Sequence, residues 1–563
     1  MILQALVKYY DSVLSEKVPD CWQQRKAAYI IDIDDNGNIL NSSTVADISD
    51  LMPEAPKGKT TSVKAAFLCD NGAYLFGMEN EKDKTKNGAA KYIESRKIHL
   101  DVLKNATGST SLAIKAFFQS DTPKVPPTGV DKNTLCVFAV NGKKAYEFNE
   151  VKKAWDDYQA NNSKPSSSGI IDLVSGKKDT IARLHGSIKG LGKDSPSLIN
   201  VNQEAFASYG KTKKDPAANI GEQTAFKYVT ALNSLISDKN HKSRIADSYL
   251  IYWAEDGEGE EEKVFADIWE TKADATDSAK LNDTVNAIIN GKPVCNCNMD
   301  STFYLLCLAL QSKRIVVRFF YRNTFNNIIS NIKKHYENLQ ITNDDFSQLT
   351  PFHILGNTVR KKKGGQYGDA PPLLGGQLLN AIISGSRYPM TLYNAILTRI
   401  RAGEDIHKTK AAIVKAVLIR NFSESEVTTM ALNMQTDNQP YVLGRLFATL
   451  ERLQKAAAGG KLNATIRDKY FATACANPAS VFPTILKLSM HHFAKLKNSE
   501  LNEKLKEAYY CEKLKTELLG RLDAENPFPK ALSLDDQGRF ILGYYQQRNF
   551  LPNKEKTEEE TNV

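Results

Sequence analysis

The chain has 563 residues, 42% hydrophobic and 25% charged, with 74 Lys and Arg against 65 Asp and Glu and a formal net charge of +9. That composition belongs to a soluble globular protein of roughly two to four domains. It excludes a disulfide scaffold, because eight cysteines are scattered at 21, 69, 136, 295, 297, 307, 475 and 511. No apolar run approaches the ~20 residues of a membrane span, and the opening MILQALVKYYDSVLSE lacks a basic leader and a cleavage site. A cytoplasmic protein is expected.

In chain order, Ile2, Leu3, Leu6, Val7, Tyr10, Val13 and Leu14 mark an amphipathic helix. Three turn signals then predict hairpins: Asp35 to Asn38 after Ala27–Asp34, Asp70-Asn71-Gly72 between AAFLC and AYLFG, and Asn141-Gly142 between LCVFAV and KAYEF. Helices are expected at 89–105 and 151–161, and SKPSSSG (163–169) reads as a linker. Strand text resumes at GIIDLVSG and DSYLIYWAE. EDGEGEEEK (255–263) reads as an acidic surface loop, and TFYLLCLALQSKRIVVRFFYR as two buried strands. From about Phe325 the period is helical, with breaks at NFSESE and MQTDNQP. The fold class is α+β: an N-terminal mixed region with antiparallel hairpins and a C-terminal all-α bundle. The expected divisions are 1–345, 346–430, 431–550 and a disordered tail at 551–563.

The basic residues are unevenly placed. Between Asn357 and Arg420 stand eleven Lys and Arg against three Asp and Glu, the footprint of a protein that tracks phosphates. Backbone-contact candidates here are Arg360, Lys361, Lys362, Lys363, Arg399, Arg401 and Lys410, joined downstream by Arg467 and Lys469. Arg445 and Arg452 extend this basic helical face. ARLHGSIKGLGK adds Arg183, Lys189 and Lys193 among glycines that let a backbone approach an anion. PKGKTTSVK places Lys57, Lys59 and Lys64 before the Asn71 turn, and Lys82, Lys84, Lys86 and Asn87 follow it. Asn71, Asn200, Asn202 and Gln203 are amides of the kind that read base edges.

Catalytic signatures are weak. The glycine loop lacks the Walker arrangement, and His491-His492 cannot share a metal on a helix. Neither converging carboxylates nor a nucleophile with a base is readable. Cys295 and Cys297, one residue apart, lack the paired C-x-x-C spacing of a zinc site. No cofactor, metal or enzyme activity is expected.

Several long motifs occur in a fixed order: MILQALVKYY, FLCDNGAYLFG, ARLHGSIKG, NVNQEAFASYG, ALNSLI, YVLGRLFATLERLQ, NATIRDKYFATACANPASVFP and LDDQGRFILGYYQQRNF. The series resembles the large-subunit family of the type I-C CRISPR Cascade complex, the subtype I-C branch of the Cas-eight proteins, from residue 1 to about 550. LVSGKKD (173–179) and ALQSKRI (309–315) depart from the family pattern, and RIADSYLIYWAE keeps Asp247 and Trp253. The resemblance implies a subunit of an RNA-guided surveillance complex that recognises the protospacer-adjacent motif in duplex DNA and helps unwind it, stabilising the R-loop in antiviral defence. It assigns 1–345 to motif recognition and to docking of the crRNA 5′ end and backbone subunits, and 431–550 to a bundle like the small subunit. Implied partners are crRNA, target double-stranded DNA, Cas-five and Cas-seven type backbone subunits, a small subunit made by internal translation, and a Cas-three type helicase–nuclease. That small product is expected to start at Met430 or Met434, with Thr436 or Asp437 capping its first helix. The alternatives are a general RNA-binding scaffold and a metal-dependent nuclease using the His491-His492 region.

Overall fold

The computed structural model describes residues 1–550 apart from 60–61, 80–87, 163–168, 202, 213–214, 256, 258, 270–274, 293–296, 342–345, 347–348, 361–367, 372, 460–461 and 498–501. Two compact units emerge: residues 1–238 with the short segments 255–258 and 310–315, and the remainder. The architecture is α+β.

The first unit opens with α1 (Ile2–Tyr9), the amphipathic helix read from the sequence, continued by a π-helical turn at Tyr10–Leu14. β1 (Trp22–Ile33), β2 (Thr44–Pro53) and β3 (Cys69–Asn71) are followed by α2 (Gly72–Leu75), α3 (Gly88–Val102) and α4 (Ser109–Phe117). β4 (Leu135–Val140), β5 (Lys143–Lys144) and α5 (Asn149–Asn162) complete a sheet of order β2-β1-β4-β3, with β5 on β4. The Asn141-Gly142 turn forms as read, with φ +48° and +82°. The Asp35–Asn38 turn forms too, closed by an Ile33–Ile39 bridge, but the paired strand begins only at Thr44.

The hairpin at Asp70-Asn71-Gly72 is corrected. Asn71 is extended (φ −86°) and Gly72 opens α2, so β3 pairs with the distant β4 instead of its neighbour. The buried Asp70 carboxylate takes the Ala66 and Asn71 amides, which serves a loop end, not a tight turn. Pairing is also not antiparallel throughout, because β1 and β4 run parallel after the helical crossover through α2–α4. The core beneath joins Phe67, His99, Phe117, Phe118, Phe138 and Trp155.

Next, β6 (Ile170–Ile171) and β7 (Lys178–Asp179) form a two-stranded ribbon, and α6 (Glu222–Ser237) follows a long irregular stretch. α6 is the platform of this unit. Tyr10 packs edge-on against its Phe226, and Lys227 pairs with Asp11 at 2.7 Å. The ribbon is pinned to its first turn, where Thr224 donates to the buried Asp172 at 2.6 Å.

The second unit carries the antiparallel strands β8 (Lys242–Ile245), β9 (Ser248–Ala254), β10 (Thr302–Gln311) and β11 (Arg314–Thr324), ordered β11-β10-β9-β8. Between them lie α7 (Glu260–Trp269) and α8 (Ala275–Ile289). The acidic loop at 255–263 is corrected: Glu260, Glu261 and Glu262 form the first turn of α7, where carboxylates suit the positive end of a helix. Glu262 also accepts the Ala254 and Gly259 amides, and Glu261 that of Asn298. β10 is buried as read, whereas β11 is only half-buried along the sheet edge.

Helices then follow to the end of the described chain: α9 (Phe325–Leu339), α10 (Pro351–Gly356), α11 (Leu374–Ser384), α12 (Met390–Arg401), α13 (Lys408–Phe422), α14 (Gln439–Ala458), α15 (Ile466–Ala476), α16 (Pro478–Lys497), α17 (Asn502–Gly520) and α18 (Leu534–Asn549). Asn438, not Thr436 or Asp437, caps α14, its carboxamide accepting the Tyr441 amide. One continuous core runs from Ile245 on β8 to Tyr545 on α18. The helices from 346 onward therefore share their interior with the sheet of this unit.

At its centre α14 crosses α18 at backbone contact. A Cβ on Gly444 would collide with the Phe540 carbonyl, and one on Gly543 with that of Tyr441. Fully buried Arg445 donates to Gln547 at 3.0 Å and to the Asn433 and Met434 carbonyls at 3.2 and 3.4 Å. The apolar and aromatic residues Phe540, Leu542, Tyr544 and Tyr545 are core, as their spacing implies.

Candidate nucleic-acid interface

The glycine loop of the first unit is built against α6. His185 is buried, with Nδ1 2.6 Å from the Tyr228 hydroxyl, and its carbonyl accepts the Ser197 hydroxyl at 2.9 Å. Asn233 clamps the loop from both sides, accepting the Lys189 amide at 2.8 Å and donating to the Ser187 carbonyl at 3.0 Å. A Cβ on Gly186 would meet Val229 at 2.8 Å, and one on Gly190 would meet Ile236 at the same distance. These glycines therefore let the loop press onto the helix. Their effect is to fix a rim from which Arg183, Lys189 and Lys193 project, exposed and without an ion pair among the described residues.

Beside this rim lies the loop carrying Lys57, Lys59 and Lys64. Burial, with the Lys57 charge adding to it, pulls the His185 imidazole down to about 4, so the two loops are electrostatic neighbours. Arg25, buried on β1, staples the loop ends by donating to the Pro53 carbonyl at 3.1 Å and to that of Cys69 at 2.8 Å. Lys59 is not a free cation. It pairs with the fully buried Asp70 and stands 4.1 Å over the Tyr74 ring, and burial lowers its pKa against the pull of Asp70. Lys64 is exposed and donates to the Lys57 carbonyl at 3.3 Å. Asn71 sits half-buried next to Asp70, and its carboxamide oxygen is shielded from solvent with no hydrogen-bond partner among the described residues. Asn200 and Gln203 are exposed on the segment that follows the glycine loop. Asn202, Lys82, Lys84, Lys86 and Asn87 lie outside the described residues.

In the second unit several of the expected cations are held within the fold. Arg399 and Lys410 both bind Glu404, at 2.5 and 2.7 Å, and Lys410 is buried in α13. Arg467 donates to the Glu404 carbonyl at 2.6 Å and stands 3.8 Å from Asp405, which also pairs with Arg548 at 2.9 Å. Arg401 is held by Gln537. Of the expected face downstream, Arg445 is buried and Arg452 is bidentate to Glu507. These pairings with carboxylates and carbonyls brace the helices against one another. Arg360 and Lys469 remain exposed. Lys361, Lys362, Lys363 and Cys295 lie outside the described residues. Among the described residues no group of three metal-ligating side chains forms, and no helix is long and apolar enough to cross a membrane.

Sequence reasoning missed Arg25, whose role depends on two carbonyls 16 residues apart that only the sheet brings together. It also missed Asp70 as a counter-ion. The aspartate was visible in FLCDNG, but as part of a turn.

What the geometry defines is a basic, amide-bearing rim of paired loops on a rigid sheet-and-helix platform. Residues 6–551 match the family described as CRISPR-associated protein (Cas_Csd1), and the chain belongs to that family. No curated protein matches it.

Proposed function

We propose that the chain is the large subunit of a type I-C Cascade, reading the protospacer-adjacent motif in duplex DNA through the loops of its first unit and helping to open the helix. Arg183, Lys189, Lys193, Lys57 and Lys64 would meet phosphates, setting position and register, while Asn71, Asn200 and Gln203 would reach base edges. The observation that carries this reading is the rim itself, where Arg183, Lys189 and Lys193 are exposed and without an ion pair among the described residues and Asn200 and Gln203 are exposed on the segment that follows. The subunit would be non-catalytic and cytoplasmic, working with crRNA, Cas-five and Cas-seven type backbone subunits, an internally translated small subunit and a Cas-three type helicase–nuclease. Guide pairing would read the remaining sequence.

The test is the affinity of the assembled complex for targets that do or do not carry the motif. Asn71→Ala should compress the difference by about 1–3 kcal/mol for one lost bidentate contact. A ratio that survives Asn71→Ala, Asn200→Ala and Gln203→Ala together would remove motif reading from these loops. Equal affinity of the parent complex for both targets would favour an RNA-binding scaffold instead.

A further inference from the structure

Tyr209 is fully exposed, and its backbone stands at φ +56°, followed by Gly210 at +71°. A bulky aromatic residue in the left-handed region is uncommon, and a ring exposed on both faces forfeits the burial that usually retains it. The turn is braced all the same. The Lys211 amide donates to the Ser208 carbonyl at 3.1 Å, and the Thr212 amide and hydroxyl bind the Asp215 carboxylate at 2.8 and 2.9 Å. The Lys211 ammonium reaches the Pro216 carbonyl at 3.1 Å and the Asn219 carboxamide at 3.5 Å. The backbone carbonyl of Asn219 accepts the Leu173 amide at 3.0 Å, tying this turn to the β6–β7 ribbon, on which Lys177 and Lys178 are exposed.

We propose that Tyr209 is a stacking platform for an unpaired nucleic-acid base, with Lys177 and Lys178 meeting the adjoining phosphates. Both faces of the ring are open, as a base needs in order to stack, and Lys177 and Lys178 are exposed on the ribbon tied to this turn through Asn219 and Leu173. The inference rests on the nucleic-acid reading above and adds a site for bases freed from the duplex.

The test uses the full-length chain with two DNA probes of identical sequence: a closed duplex, and a fork whose unpaired arm carries 2-aminopurine. The wild type should prefer the fork and quench its fluorescence. Tyr209→Ala should lose about tenfold in fork affinity together with the quench, leaving closed-duplex affinity and thermal midpoint unchanged, while Tyr209→Phe should keep both fork signals. Full quench and fork preference in Tyr209→Ala would overturn the proposal and leave duplex binding standing. Loss of the signals in Tyr209→Phe equal to that in Tyr209→Ala would also overturn it, by assigning the contact to the hydroxyl. Release of Tyr209→Ala from the assembled complex with fork binding intact would reassign the ring to a protein partner. Failure of the wild type to bind either probe would bring down the nucleic-acid reading itself.

Discussion

His99, His185 and His335 are buried imidazoles, and each is best kept neutral. Burial pulls His99 down to about 4, the Ser95 carbonyl opposing, and its Nε2 accepts the Leu68 amide. His185 sits at about 4, and His335 falls well below its ordinary value through burial with Arg420 adding. A base whose pKa is lower in the fold binds its proton more readily when unfolded. For His99 and His185 stability is then fully present above about pH 6.5 and lost as pH falls toward 4, by about 1.4 kcal/mol per pH unit for each, and His335 acts in the same direction. A thermal midpoint that stays flat between pH 7 and 5 would show that these rings are hydrated. Cations divide just as clearly by their surroundings. Replacing Arg183, Lys189 and Lys193 with Ala should flatten the salt dependence of DNA binding by up to about three charges. Replacing Arg399 and Arg467 should lower the thermal midpoint and leave that slope alone, and the reverse pattern would place the interface on the second unit.

At the scale of elements, the α14–α18 crossing depends on two residues without side chains. Gly444→Val should destabilise the second unit by at least ~1–3 kcal/mol, because the added carbons meet backbone that cannot yield. Gly520→Ala, at an open position near the end of α17, should be neutral or stabilising by up to about 1 kcal/mol. Denaturant midpoints decide it, and equal effects would mean that the crossing is looser than described. The helices were legible from their period because a helix is a local object: α3, α5 and α9 fall within a few residues of where the apolar spacing puts them. The Asp70-Asn71-Gly72 segment was not legible. Its turn chemistry is real, but a partner strand more than sixty residues away wins the pairing. For the site, charge could be read and pairing could not. Lys57 and Lys59 look alike in PKGKTTSVK, yet only Lys59 has Asp70 beneath it.

For the whole molecule, the proposed internal product can be weighed against the packing of the second unit. A chain starting at Met430 retains both carbonyls that receive Arg445, whereas one starting at Met434 loses that of Asn433. Met430 is therefore the favoured start. Either product would also leave α13, whose Glu424 extension holds Arg539 at 2.6 Å, and the Tyr393 hydroxyl that donates to Leu534 at 2.8 Å. The freed bundle should consequently be less stable than the same helices in the full chain. Met430 and Met434 are both about half exposed, so changing both to Leu should remove the product without harming the full-length protein. Intact-mass measurement of the purified complex checks this, and the absence of such a species in the parent would end the idea. The placement of β4 between β1 and β3 has a consequence in time. Ribosomes add about 5–20 residues per second, so β1 and β2 emerge several seconds before the strand that completes the middle of their sheet. During that interval the nascent hairpin carries an open edge, the exposure that chaperones cover. Slowing translation between Pro53 and Leu135 should lengthen that wait and lower the soluble yield.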